Sequence, residues 1–360
     1  MLAVCFLLPA LIPAGQKTLK DKPIKGKWDF GLEKIWQVNT AGPDQFGRIA
    51  ELLVSDQGNI YMRDFERNIS YIFDGEGRFV KSFALQGDGP GQLSHYLNRF
   101  NAGGKLVLAS PEKLHFFSRD GVFSHAVDNN LFLRFPLQFL NENEFIYAPN
   151  LPHSPVHDKK LMVHSITSGE DRLLVDFSEP EVMKKKPAPG PMVMIFGLTP
   201  QVSLARAGDK MVFGRSDRYE IFTANKDGKI LSSSNLDRKN QTATEKDKRS
   251  HFADVNIPPD QIENIVSQLP ETMTFFSRID VLNGFIHVLP VTGVGAITTS
   301  QPVDIFSMKG EYLYQGHITF GGLKFGSPSN ISINGGYLYV ILEDDNGRRI
   351  LAKYRIKLPG

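Results

Sequence analysis

The stretch IAELLVSDQGNIYMRDFERNISYIFDGEGRFVKSF, residues 49–83, decides how the chain is organised. Its apolar residues alternate in short runs, and that period of two predicts strands at 49–55, 59–63, 69–73 and 79–83. Gln57-Gly58 and Asp74-Gly75-Glu76-Gly77 separate the runs. Glycine takes the left-handed backbone of tight turns, and aspartate bonds to nearby main-chain N–H groups. Connections this short leave no space for a crossover helix, so the four strands form an antiparallel meander.

Working outward, the rhythm of apolar strand, tight turn, apolar strand, variable loop and glycine turn recurs. The copies lie at 100–127, 138–177, 204–234, 279–318 and 331–357, with turn markers Gly58, Gly104, Asn143, Asp209, Gly284 and Gly335. Six such units in one chain predict an all-β fold, a six-bladed β-propeller, in which each blade packs only on its neighbours. At 360 residues the chain exceeds the size at which one central core keeps growing, and a repeat array removes that difficulty. The sixth copy supplies three strands only, while LEKIWQVN at 32–39 is an orphan strand before the first copy. Pairing the two closes the ring and removes an open sheet edge.

Two insertions break the rhythm. Residues 178–200 are proline-rich and read as a loop. Residues 237–274 open polar and charged, then place Ile262, Ile265, Val266 and Leu269 at helical spacing between Pro259 and Pro270. A short helix packed on one face of the disc follows from that spacing.

Residues 54–93 resemble an NHL repeat. Asp56, Gly58, Asn59, Tyr61, Asp64, Asn68, Ile69, Phe73 and Gly77 match its strand pattern, and Gly89-Pro90-Gly91-Gln92 its connector. The other five copies keep only the strand and turn rhythm. The exported six-repeat form is also similar to bacterial propellers of no assigned function. The resemblance implies a binding platform built from loops and no particular reaction. WD-type repeats do not fit, since the only tryptophans, Trp28 and Trp36, precede the first copy.

Lys plus Arg total 41 against 39 Asp plus Glu, a net charge of +2 that points to no nucleic-acid or anionic-membrane partner. Residues 1–15, MLAVCFLLPALIPAG, are apolar and uncharged, of signal-peptide length and too short to span a bilayer, so export to the periplasm or outside the cell is expected. The one cysteine, Cys5, lies inside that segment. A mature chain without it has no disulfide, zinc–thiolate site or cysteine nucleophile. No later apolar run is long enough to be a transmembrane segment.

In such a ring the loops between second and third strands gather on one face with the connections between blades. That face is expected to receive Arg63, Asp64, Glu66 and Arg67 from the first copy and Arg215, Asp217 and Arg218 from the fourth. The sixth contributes Asp344 and Arg348, flanked by Glu343, Asp345 and Arg349. Guanidinium forks suit carboxylates and phosphates, so these residues are candidate ligand contacts. Equally, the arginines can pair with the adjacent acids and brace the loops. His153, His157 and Asp158, with His164 nearby, are the densest set of metal-type ligands, at spacings that match no strong motif. GDGPGQL at 87–93 lacks the Lys-Ser or Lys-Thr and the βα setting of a phosphate loop.

No catalytic triad or paired-carboxylate spacing stands out, so no catalytic residue and no resident cofactor is expected. The residues favour an exported binding or scaffold propeller that recognises a peptide, glycan or protein partner through its loop face. The alternative is a metal-dependent lyase or lactonase-type hydrolase with a divalent ion at the central channel. A structural role in an envelope assembly is a third possibility.

Overall fold

The computed structural model describes residues 17–29, 31–87, 89–93, 98–130, 134, 136–149, 160–177, 195–250, 252, 257–294, 298–325 and 330–357. Six antiparallel sheets follow one another along the chain. In the first, Ile49–Val54, Ile60–Asp64, Ile69–Phe73 and Phe79–Phe83 pair in chain order. These bounds agree to within a residue with those read from the period of two. The other blades occupy 98–128, 136–176, 202–237, 276–319 and 331–356. Each blade's first strand lies against the first strand of the next, and that of the sixth returns to that of the first. The sheets therefore close into a six-bladed propeller.

The core is divided accordingly. Six buried clusters occur, one in each seam between neighbouring blades. A blade so placed buries both faces, which is why all five residues of Ile60–Asp64 are buried. The outermost strand Phe79–Phe83 is largely half-exposed.

Closure takes the form that the orphan strand predicts. Leu32–Val38 runs antiparallel to Arg349–Ile356 as the fourth strand of the sixth blade. Trp36 then reaches over the last seam, its Nε1 donating to the carbonyl of Gly75 at 3.1 Å, while Lys353 Nζ donates to the same oxygen at 2.9 Å.

The residues before this strand form a belt. Lys17–Lys20 adds a parallel fifth strand to the outer edge of the fourth blade, and Lys27–Asp29 does the same for the fifth. QKTLKDKPIKGK has no alternating apolar pattern, so no strand is expected there. Its pairing is carried by main-chain bonds, to which hydropathy is blind.

The turn between third and fourth strands has a shared chemistry. In blades two and four the first turn residue, Ser118 or Asn225, accepts from the N–H four residues on, at 3.2 and 2.8 Å. Gly121 and Gly228 follow at φ of 68° and 84°. A Cβ at Gly121 would lie 2.8 Å from the ring of Phe83, and one at Gly228 only 1.8 Å from the carbonyl oxygen of Leu174. Phe83 and Leu174 stand on the outer strands of the preceding blades, so these glycines set how closely successive blades approach.

The 237–274 insertion carries the predicted helix at Pro259–Gln268, with Ile265 and Val266 buried. It also holds an unpredicted helix, Glu245–Ser250, inside the charged stretch. There Thr244 Oγ1 accepts from Asp247 N at 3.1 Å, and Asp247 Oδ2 accepts from Thr244 N at 2.8 Å. That reciprocal cap was visible as T-x-x-D in the sequence. Both helices sit in the connection from blade four to blade five, on the face that carries the loops between second and third strands. A seventh cluster joins the longer helix, through Ile265 and Val266, and Ala243 and Phe252 beside the shorter one to Ile195, Leu198, Val291 and Val294. Of the 178–200 insertion, residues 178–194 lie outside the described residues.

Candidate functional site

The three arginine-bearing sets predicted from sequence all lie where second strands meet third strands, and each closes largely on itself. In the first blade Asp64 is fully buried. Its Oδ2 accepts from Gly47 N at 2.8 Å, and its Oδ1 from Glu66 N at 3.1 Å and Arg67 N at 3.3 Å. Its carboxylate holds the loop shape. Arg63 donates from Nη2 to Asn68 Oδ1 at 2.9 Å and stacks over Phe65, and Arg67 pairs with Asp44 at 3.4 Å. Glu66 is exposed.

In the fourth blade Arg215 is buried and its Nη1 stands 3.6 Å from Asp217 Oδ2. Burial pushes the Arg215 pKa down, with Asp217 opposing the shift. Arg218 closes the turn, its N–H donating to the Arg215 carbonyl at 3.2 Å. In the sixth blade Asp344 Oδ1 accepts from Arg348 N at 2.9 Å and its Oδ2 from Arg348 Nε at 2.7 Å. The geometry of these sets is that of braced loops. His153, His157 and Asp158 lie outside the described residues. Among the described residues no group of three or more His, Cys, Asp or Glu side chains is disposed to hold a metal.

A different part of the same face holds an open cavity. It has a volume of about 450 Å³ and sits at the seam of blades two and three, lined by Pro111, Glu112, Asp128, Asn129, Asn130, Arg134 and His164. Pro111 and Glu112 belong to the loop between second and third strands of blade two. Residues 128–134 belong to the connection into blade three, and His164 to that blade's third strand. Asn129 N donates to the Glu112 carbonyl at 2.7 Å and Arg134 N to the Asn130 carbonyl at 2.9 Å, fixing the rim.

One carboxylate outside the lining organises two of the lining donors. His164 and Asp171 face each other in register across the hairpin of blade three, with Nδ1 to Oδ1 at 2.8 Å. Arg134 adds a fork, Nε and Nη2 to Asp171 Oδ2 at 3.1 and 2.9 Å. Burial alone would raise the Asp171 pKa, but the bonds from Arg134 and His164 outweigh it and hold the carboxyl below its usual range. Asp171 stays ionised. Nδ1 is committed to Asp171 and the ring is backed by Phe145, while Nε2 of His164 has no hydrogen-bond partner among the described residues. This arrangement offers amide, imidazole and guanidinium donors beside carboxylate acceptors.

Sequence reading singles out His164 only as a neighbour of the metal-type cluster, and it does not reach Glu112, Asp128, Asn129, Arg134 or Asp171. The pairing of His164 with Asp171 had a signal: both flank a short glycine turn, so a hairpin sets them opposite. Arg134 had none, since its partner is 37 residues away on another blade element.

No family model matches the chain, and no curated protein matches it. Among solved structures it is similar to a member of the duf4221 family from Bacteroides vulgatus, at 11% identity and a TM-score of 0.60. That match covers 92% of this chain and 99% of the other. It is also similar to a protein from Bacteroides fragilis described as a candidate exported protein, at 13% identity and a TM-score of 0.52, covering 95% and 99%. At these identities the likeness is one of fold. Among the described residues no helix is long and apolar enough to cross a membrane.

Proposed function

We propose that the protein is an exported recognition propeller that binds a polar ligand, a glycan or a peptide, on its loop-bearing face. The observation that carries this reading is the 450 Å³ cavity between blades two and three, with Asn129, Arg134 and His164 in its wall. A pocket of this size encloses one or two sugar rings or peptide residues. Its lining hydrogen-bonds in both directions and lacks an aromatic platform among the described residues. The apolar run at 1–15 supports export, and the NHL-like repeat at 54–93 supports a binding platform.

The test is saturation-transfer NMR of the purified protein against mixed oligosaccharides and short peptides, repeated with Asn129→Leu. Residue 129 is buried at the cavity wall, and leucine, branched alike with as many side-chain heavy atoms, removes its donor and acceptor. Contacts seen with the wild type and lost in this folded variant support the reading. Contacts that survive unchanged place the ligand elsewhere and sink it.

A further inference from the structure

Two side chains in the wall of this cavity are more than nine-tenths buried, and each keeps an acceptor that no described residue fills. Asn129 donates from its main-chain N–H to the Glu112 carbonyl at 2.7 Å and from Nδ2 to the Arg134 carbonyl at 3.4 Å. Its Oδ1 has no hydrogen-bond partner among the described residues. His164 is bound through Nδ1 to Asp171 at 2.8 Å, and its Nε2 has no partner among them either. Bonds tie the two residues to one stretch of wall: Asn129 holds the Arg134 carbonyl, the Arg134 side chain holds Asp171, and Asp171 holds His164. Neither side chain can turn to another partner without breaking this network.

The two open atoms have the same chemistry. Asp171 is ionised and a carboxylate only accepts, so the hydrogen of a neutral His164 ring sits on Nδ1 and Nε2 presents a lone pair. Oδ1 of Asn129 is a carbonyl oxygen. Buried acceptors left unfilled are costly, and native structures fill them with water or a ligand.

Resting on the ligand pocket proposed above, we propose that Asn129 Oδ1 and His164 Nε2 receive hydroxyl hydrogens of a sugar, and that the ligand is a neutral glycan. An anion sets its own lone pairs against both acceptors. A cation finds Asp171 already spent on Arg134, while Glu112 and Asp128 are exposed, where water screens their charge. Among neutral donors, neighbouring hydroxyls suit an amide, one donating to Oδ1 while the next accepts the second hydrogen of Nδ2. A peptide binds most readily by extending a strand edge, and the strand that carries His164, Lys160–Ser165, is already paired on both sides.

The experiment is calorimetric titration of the full chain with maltotriose, cellotriose, triacetylchitotriose and a blocked, uncharged alanine tripeptide. Expected is binding of at least one sugar and no binding of the peptide. One singly deoxygenated form of that sugar should bind the wild type about tenfold more weakly, the size of one hydrogen bond to a buried group. The same deoxygenation should cost nothing further in whichever of His164→Phe or Asn129→Leu lacks the matching acceptor, a coupling that a merely structural role does not produce. Deoxygenated sugars test the contact on the wild-type chain even where a variant fails to fold. Peptide binding that Asn129→Leu weakens, sugar binding that no deoxygenation weakens, or a deoxygenation penalty that persists in both variants overturns the glycan assignment and leaves the pocket standing. Binding of either kind unchanged by both substitutions, or no binding by any probe, overturns both.

Discussion

Arg238 grips Asp304 across the seam between blades four and five, Nη1 to Oδ2 at 2.6 Å. Asp304 is fully buried and also accepts from the hydroxyls of Tyr219 and Tyr312. The same guanidinium reaches outward to Asp21 of the N-terminal belt, at 2.9 and 2.6 Å. One arginine thus joins two blades and the belt that crosses them. Replacing it by methionine leaves the Asp304 charge with tyrosine hydroxyls alone, so Arg238→Met is expected to cost about 3–5 kcal/mol. Urea unfolding measures this. A loss below about 1 kcal/mol would show that the two tyrosines suffice.

The belt and the closing strand are expected to differ sharply in importance. Asp21 is partly exposed and Arg238 keeps Asp304 without it, so Asp21→Asn should cost no more than about 1 kcal/mol. Truncation to residue 31 should leave a cooperative, slightly less stable propeller. Truncation to residue 39 removes Leu32–Val38, opens the ring and exposes the sixth seam. Circular dichroism melts of the two truncations decide this, and a cooperative melt of the shorter chain is the contrary result.

Gly228 and Gly169 separate backbone strain from blade packing. Both have positive φ, at 84° and 72°. A Cβ at Gly169 meets nothing within 4 Å, whereas one at Gly228 meets the Leu174 carbonyl oxygen at 1.8 Å. Gly169→Ala should therefore cost only left-handed strain, about 1–2 kcal/mol. Gly228→Ala should cost more, because backbone of the neighbouring blade must move. Equal losses in parallel unfolding experiments would contradict this account of the seam.

His287 predicts a pH dependence. It is fully buried in blade five, and burial pushes its pKa from 6.5 down to about 4, with Asp280 opposing the shift. Between these values the unfolded chain takes up a proton that the folded chain does not. Stability from this group is complete above about pH 6.5 and falls as pH drops toward 4, by about 3 kcal/mol at the limit. Denaturant melts across that window should fall more steeply for the wild type than for His287→Phe. Parallel slopes would assign the acid sensitivity to other groups.

The sequence by itself determined the repeat, the blade count and the closing strand. Each depends on local period and turn chemistry, which adjacent residues carry, as in 49–83 with its Asp-x-x-Gly turn or in the orphan strand 32–39. The helix at Pro259–Gln268 was legible for the same reason. The belt was not, because Lys17–Lys20 and Lys27–Asp29 pair through main-chain groups that every sequence possesses. Of the arginine sets, Arg63, Asp64 and Arg215 end second strands and the rest follow them in the turns, and only the fold shows Asp64 fully buried with its oxygens on main-chain N–H groups and Arg348 turned back onto Asp344. The cavity needed tertiary structure most of all. His164 and Asp171 meet across one hairpin, but Arg134, Asn129 and Glu112 reach them only because two blades pack side by side, and residue spacing along the chain does not encode that approach.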